Sequence, residues 1–279
     1  MRSLVKLGLT LSLLGGAVVG SVVVKTPTAM AIPEADALKR LDPIPVFAVA
    51  NQDNVPILGS VANPKDKSKQ IQFMTFYMSQ QDAQGLVTML KSQKPDIGKN
   101  AKVITLSMRQ AYDIKIKNKD KAESLVIEFQ PSKQQVDAAI AVLKQNGQDV
   151  KDFKDIPAFY AIGGADKGLL TIEQGKNKVI PFYFNKQDLQ GMLDQLKQKD
   201  PKLSSTTTVQ VTSLSQLVSA LMKDNSAGIQ QITLVPDRAS LEYALQQQKA
   251  GGGAKPAAGA KPSAAPAPQA QPAPSNPKK

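Results

Sequence analysis

Gln81-Asp82-Ala83-Gln84-Gly85, running on to Leu90-Lys91 and Pro95, returns as Gln187-Asp188-Leu189-Gln190-Gly191, Leu196-Lys197 and Pro201. Seven of the fifteen positions are identical at a fixed offset of 106. The offset holds downstream, where Val103, Ser107, Met108 and Gln110 match Val209, Ser213, Leu214 and Gln216. Shifted by one, Ile127-Glu128-Phe129-Gln130-Pro131-Ser132 matches Ile232-Thr233-Leu234-Val235-Pro236-Asp237; upstream, Ile44-Pro45-Val46-Phe47 matches Ile156-Pro157-Ala158-Phe159. A period this long is not that of a solenoid repeat, so it marks two supersecondary blocks of one design. The copies run over about residues 44–147 and 156–248.

Each block is read twice. Strands are expected at Val46 to Val49, Val55 to Val61 and Gln70 to Met78 in copy one. Copy two has Ala158 to Ile162, Gly168 to Glu173 and Val179 to Phe184. Asn51-Gln52-Asp53-Asn54 and Gly163-Gly164-Ala165-Asp166 carry hairpin-turn chemistry. Ser79-Gln80-Gln81-Asp82 and Asn185-Lys186-Gln187-Asp188 open helices, a capping side chain preceding a carboxylate by three residues. Apolar residues follow at helical spacing: Ala83, Leu86, Val87, Leu90, and Leu189, Met192, Leu193, Leu196. Pro95 and Pro201 are expected to stop these helices. A strand (Lys102 to Leu106, or Thr208 to Val211) leads to a helix begun by Ser107-x-x-Gln110 or Ser213-x-x-Gln216. A last strand, Leu125 to Phe129 or Gln231 to Val235, feeds a helix begun by Ser132-x-x-Gln135 or Asp237-x-x-Ser240. The expected class is α/β (α+β), an internally duplicated, pseudo-two-fold body with β-β-β-α-β-α-β-α per copy.

The ends differ from the body. Arg2 and Lys6, the apolar stretch Leu7 to Val24, and Ala29-Met30-Ala31 have the pattern of a signal peptide over residues 1–31. An uncleaved anchor is the alternative; Lys25-Thr26-Pro27 and the Ala-x-Ala site favour cleavage, leaving a body of 32–250 with no integral membrane segment. Residues 251–279 are Ala, Pro, Gly, Gln and Lys with almost no bulky apolar side chain, the composition of a disordered tail. Both ends are rich in cations, so the formal charge of +12 falls when they are set aside. The body's lysines are interspersed with acids, as in Lys115-Ile116-Lys117-Asn118-Lys119-Asp120-Lys121, without the aromatic-interleaved basic stripe of a nucleic-acid surface. No nucleic acid is expected, and peripheral membrane contact stays open.

The chain has neither His nor Cys, which removes the commonest acid–base group, the thiolate nucleophile and the usual transition-metal ligands. Its acids stand at helix starts (Asp82, Asp188, Asp237), where capping accounts for them. Gly163-Gly164-Ala165-Asp166-Lys167-Gly168 lacks the full phosphate-loop pattern. No catalytic residue, cofactor or metal is expected, and an enzyme is not. What stands out is the run Phe73-Met74-Thr75-Phe76-Tyr77-Met78, with Phe182-Tyr183-Phe184 at the equivalent strand. Such a run is either a strand buried on both faces or a soft, adaptable contact surface, paired by the duplication. Candidate client-binding residues are Phe47, Met74, Phe76, Met78, Phe159, Phe182, Tyr183, Phe184 and Met192.

Ile44-Pro45-Val46-Phe47, Ser79-Gln80-Gln81-Asp82-Ala83, Ile180-Pro181-Phe182-Tyr183-Phe184, Gln187-Asp188-Leu189 and Leu234 to Tyr243 resemble one family. It is the twenty-two-kilodalton component of the translocon at the inner envelope of chloroplasts, in its cyanobacterial form. The resemblance covers about Ile44 to Leu245. It implies a periplasmic, chaperone-like protein that binds unfolded or precursor polypeptides. Protein translocation and outer-membrane protein biogenesis are the implied processes, with the periplasmic domains of the β-barrel assembly protein as partner. A structural adaptor docking one folded partner is the alternative function, and the thylakoid lumen the alternative location. The tail lies outside the resemblance.

Overall fold

Every residue of the strand Pro45–Ala50 (β1) is buried, and its side chains alternate between two cores. Val46, Ala48 and Ala50 enter a central cluster, while Phe47 and Val49 enter an outer one. Period-two alternation with both faces covered is what an apolar run without polar interruptions produces. The computed structural model of the chain describes residues 34–121, 124–175, 177–224 and 226–249. The signal-peptide reading of 1–31 and the tail reading of 251–279 lie outside the described residues.

After a short helix α1 (Glu34–Lys39), the first half carries β1, β2 (Gly59–Ala62), β3 (Gln70–Tyr77), α2 (Gln80–Gln93) and α3 (Pro95–Gly98). It continues with β4 (Lys102–Ser107), α4 (Met108–Lys117), β5 (Leu125–Gln130) and α5 (Lys133–Gln145). The second half carries β6 (Pro157–Gly163), β7 (Gly168–Leu169), β8 (Ile172–Gln174), β9 (Asn177–Tyr183), α6 (Lys186–Lys199) and α7 (Pro201–Ser204). It ends with β10 (Thr208–Ser213), α8 (Leu214–Lys223), α9 (Ala227–Gln231), β11 (Ile232–Val235) and α10 (Arg238–Lys249).

Each half builds its own mixed sheet, and the pairings correspond. Antiparallel β1–β4 places Pro45 opposite Ser107, and antiparallel β6–β10 places Pro157 opposite Ser213. β1 meets β3 at Phe47–Tyr77, as β6 meets β9 at Phe159–Tyr183. β3–β5 and β9–β11 are parallel, and β2–β3 is antiparallel. The sheets share one central core. Met74, Phe76, Ile104 and Ile127 from the first meet Ala158, Ile180, Phe182 and Leu234 from the second, with α4 and α8 contributing Met108, Leu217 and Leu221.

The last helix of each half covers the other half's sheet. α5 packs on β6 and β10, where Ala139 and Val142 join Phe159 and Leu189. α10 packs on β1, where Tyr243 joins Phe47 and Val87. The two buried polar side chains among the described residues, Gln135 and Ser240, occupy aligned positions in these helices. Gln135 accepts the Lys186 amide at the start of α6 (2.9 Å), and Ser240 donates to the Met78 carbonyl beside the start of α2 (3.2 Å).

Local chemistry accounts for most helix starts. Ser107 and Gln110 close the reciprocal capping box of α4, at 3.1 and 2.9 Å. Ser79, Asn185 and Ser213 each accept a first-turn amide, and Asp237 accepts the Ser240 amide at 2.7 Å. Asn54 takes a left-handed φ of 62° in the first hairpin turn, and Gly164 takes 79° in the second.

Five expectations need correction. The strand expected from Val55 to Val61 begins only at Gly59, Pro56 making an isolated bridge to Ala50. Pro95 and Pro201 end the preceding helices but also begin α3 and α7, since proline at a first helical position sacrifices no hydrogen bond. The strand expected from Gly168 to Glu173 is two strands, because β7 pairs with β6 and β8 pairs with β9. Ser132 makes no side-chain cap; its would-be partner Gln135 caps α6 instead. Helices α1 and α9 add to the expected element order.

Candidate functional site

The outer face of the second sheet does not close over its helix as the first does. α6 presents Leu189, Met192, Leu193 and Leu196 at helical spacing toward β6 and β9, held there by the Asn185 cap. Leu189 is fully buried, but Leu193 is half-buried where the aligned Val87 of α2 is buried. Between α6, α7 and the segment Leu170–Glu173 lies an apolar groove of about 710 Å³. Leu170 and Ile172 contribute from the strand segment, Met192, Leu196 and Leu203 from the helices, and Gly164, Ala165 and Thr206 complete the apolar and small-residue lining.

The halves differ here on both the helix and the strand side. A Cβ added at Gly98 would come within 2.4 Å of the Leu90 carbonyl carbon, so glycine lets α3 lie directly on α2. The residue aligned with Gly98 is Ser204, whose side chain requires space that Gly98 does not. On the strand side, the Phe73 ring covers its cross-strand partner Gly59, where an added Cβ would meet Cζ at 1.9 Å. The corresponding pair in the second half is Ile172 opposite Val179, with no ring to cap the gap.

Charges sit at the groove's margin. Glu173 stands directly opposite Lys178 across β8–β9. Asp200 is the N-cap of α7, its Oδ1 accepting the Leu203 amide at 3.1 Å. Lys199 and Lys202 make no ion pair among the described residues. Thr171, in the groove wall, has its Oγ1 buried with no hydrogen-bond partner among the described residues.

A second, smaller cleft of about 270 Å³ lies where the halves meet. It contains both members of several aligned pairs: Met78 and Phe184, Ser79 and Asn185, Gln81 and Gln187, Ser132 and Asp237, Gln135 and Ser240. Its wall mixes amide and hydroxyl groups with apolar side chains such as Met78, Ile156 and Phe184.

The candidate client-binding residues divide unevenly. Phe47, Met74, Phe76, Met78, Phe159, Phe182, Tyr183 and Phe184 are buried, none more than 8% exposed. Phe47 packs with Tyr243, Phe76 with Phe129, and Phe182 stacks on Tyr160 at 4.8 Å. Met192 alone of the nine lines the large groove. The groove residues Leu170, Ile172, Leu196 and Leu203 lie outside the candidate set. The repeat itself points to Leu196 and Leu203, since serine replaces glycine at its equivalent position.

Two of the helix-start acids, Asp188 and Asp237, are engaged structurally. Asp188 accepts the Arg238 amide at 3.0 Å, and Asp237 accepts from Asn185 as well as Ser240. Burial first, then the nearby charge of Asp82 or Asp188, pushes the Tyr77 and Tyr183 hydroxyls above the ordinary tyrosine range. The Gly164 amide, part of the glycine-rich turn, is taken by Thr206 Oγ1 at 3.0 Å and so is not free for phosphate. Among the described residues no three or more acids cluster as a metal site, and no helix is long and apolar enough to cross a membrane.

Two sheets sharing one core, with an apolar groove on one flank, define a two-sheet α/β body. The chain belongs to the Tic22-like family, whose model matches residues 3–248. It is 23% identical over 192 residues to Protein TIC 22, chloroplastic, of Pisum sativum, covering 68% of each chain. The Arabidopsis thaliana protein of that name is 24% identical over 222 residues, 79% of this chain and 74% of its own. The solved structure of Anabaena Tic22, described as protein transport, superposes with a TM-score of 0.67 at 28% identity, covering 77% of this chain and 97% of that one. Tic22 from Plasmodium falciparum shares the fold, with a TM-score of 0.59 at 20% identity over 77% of this chain and 98% of that one.

Proposed function

We propose that this protein is a chaperone-like carrier of the cell envelope, binding unfolded or precursor polypeptides through apolar side chains seated in the groove beside α6. The observation that carries the reading is the apolar groove of about 710 Å³ lined by Met192, Leu196 and Leu203. A pocket of that size admits one or two bulky side chains while the client backbone stays at the mouth, in water. Family membership and the protein-transport description of the Anabaena relative support a role in protein translocation. The leader-like N-terminus supports work in the periplasm, handing outer-membrane proteins to the periplasmic domains of the β-barrel assembly protein. The thylakoid lumen is the other compartment such a leader serves. The matched pairings of the two sheets support descent of both halves from one duplicated unit.

The test is suppression of aggregation of an unrelated unfolded protein, without ATP, by equimolar protein. Suppression should be lost in Leu196→Asp/Leu203→Asp. Unchanged aggregation with the wild-type protein in excess sinks the reading.

A second reading, an adaptor docking one folded partner, is favoured by the burial of the aromatic run. With Phe76, Phe182 and Phe184 in the core, the apolar surface left for promiscuous contact is small. Recovery of one stoichiometric partner, with no retention of unfolded peptides, distinguishes it.

A further inference from the structure

We propose that the groove beside α6 is also a site for a long-chain fatty acid, its acyl chain laid against Leu170, Met192, Leu196 and Leu203 and its carboxylate held by Lys199 and Lys202. This stands apart from the client reading, which needs only side-chain contact. The groove's volume of about 710 Å³ falls within the range of small-molecule pockets, and its walls are mainly apolar. Such a wall suits an unbranched hydrocarbon, which demands no hydrogen bonds along its length. A polypeptide backbone drawn into the same space would lose water from every amide and find few partners.

Charge selects the head group. The five charged residues lining the groove are Lys178, Lys199 and Lys202 against Glu173 and Asp200; Glu173 stands opposite Lys178 in register, and Asp200 accepts the Leu203 amide while keeping its charge. Lys199 and Lys202 stand three residues apart on either side of the α6–α7 junction, without an ion pair among the described residues. A lining with three ammonium groups and two carboxylates carries a net positive charge, which favours an anion on the ligand over a cation. The first half offers no equivalent site, because Gly98 lets α3 close on α2 and Phe73 covers Gly59. One ligand per chain follows.

The test is calorimetric titration of the purified protein with dodecanoate, kept below micelle-forming concentration, and with dodecyltrimethylammonium, the same chain under a cationic head. Saturable binding of one dodecanoate per chain, at least tenfold tighter than the cation, is expected. Lys199→Glu/Lys202→Glu should weaken dodecanoate at least tenfold with an unchanged circular-dichroism melt. The chain contains no Trp, so Gln195→Trp supplies a single reporter at the groove, whose emission should move to the blue on titration. Absence of saturable binding, equal affinity for the two amphiphiles, or an unaffected double variant overturns the proposal. If dodecanoate fails to bind while client capture still depends on Leu196 and Leu203, the fatty-acid site is wrong and the client reading stands. If dodecanoate binds and client capture persists in its presence, the fatty-acid site stands and the client lies elsewhere.

Discussion

Tyr243, on the last helix of the second half, stands edge-on to Phe47 on the first strand of the first half, with ring centroids 5.7 Å apart and planes at 73°. Its counterpart is the packing of Ala139 and Val142 of α5 against Phe159. Each half lends its final helix to the other, so the outer face of each sheet is covered partly by its own helix, α2 or α6, and partly by one from the other half. Tyr243→Ala removes a half-buried ring and should cost about 2 kcal/mol, below the cost of truncating a fully buried aromatic. Urea unfolding followed by circular dichroism and by tyrosine fluorescence should give one coincident transition in the wild-type protein, and a lower midpoint in the variant. Two separated transitions would contradict the shared core.

Gly98 and Ser204 should respond in opposite ways to substitution. Gly98→Ala forces a Cβ into the Leu90 backbone, which no side-chain rotation can relieve, and should destabilise by about 1–3 kcal/mol. Ser204→Gly removes the side chain that distinguishes α7 from α3 and should leave stability within about 1 kcal/mol while narrowing the groove. The check is a pair of denaturation midpoints with a measurement of groove-ligand affinity, which should fall only for Ser204→Gly.

The hydroxyl of Thr171 is buried without a hydrogen-bond partner among the described residues. An isosteric methyl group removes the desolvation cost of that oxygen and leaves the packing unchanged. Thr171→Val should therefore raise stability by about 1 kcal/mol, against the usual direction of point substitutions. A thermal melt decides it, and a fall in midpoint would mean that the hydroxyl has a partner in solution.

Elements set by neighbouring residues were legible in the sequence. The Ser107–Gln110 box, the Asn51 to Asn54 turn and the apolar spacing of α2 and α6 depend on interactions within a few residues, and the repeat let each be read twice. What could not be read is which sheet receives α5 and α10. An amphipathic period says that a helix has an apolar face, not which surface takes it. The run Phe73 to Met78 was ambiguous for a related reason. Alternation sends Met74, Phe76 and Met78 into the central core, and only the second sheet, distant in sequence, makes that face interior. The groove lies where the halves differ at single positions, Gly98 against Ser204 and the Gly59–Phe73 pair against Ile172–Val179, differences that composition and periodicity do not register.

Stability should respond to alkali more than to mild acid. The chain has no His or Cys, so few side chains ordinarily titrate between about pH 6 and 9, and the urea midpoint should be nearly flat there. Burial raises the hydroxyl pKa of Tyr77, Tyr112, Tyr160 and Tyr183, with the charges of Asp82, Asp155 and Asp188 adding at the first, second and fourth. The unfolded chain releases these protons near the ordinary value of about 10, while the folded chain retains them. Stability is then fully present below that range and falls as pH rises through it. Urea midpoints at pH 8 and 10.5 should differ, and Tyr160→Phe should reduce the difference.

The groove and the buried aromatic run make opposite demands on the same experiment. If clients are held by the groove, Leu203→Asp should abolish aggregation suppression and lower the melting temperature only slightly, since Leu203 lies on the margin of the outer core. Phe182→Ala should cost about 3–5 kcal/mol through loss of a buried ring stacked on Tyr160. At a temperature where that variant is still folded, its suppression should match the wild type. Were clients instead to enter between the sheets, the order would reverse, with Phe182→Ala impairing suppression while folded and Leu203→Asp leaving it intact. Measuring suppression and folded fraction on the same samples separates the two, because a charge placed in the groove wall changes the first while leaving the second nearly as it was.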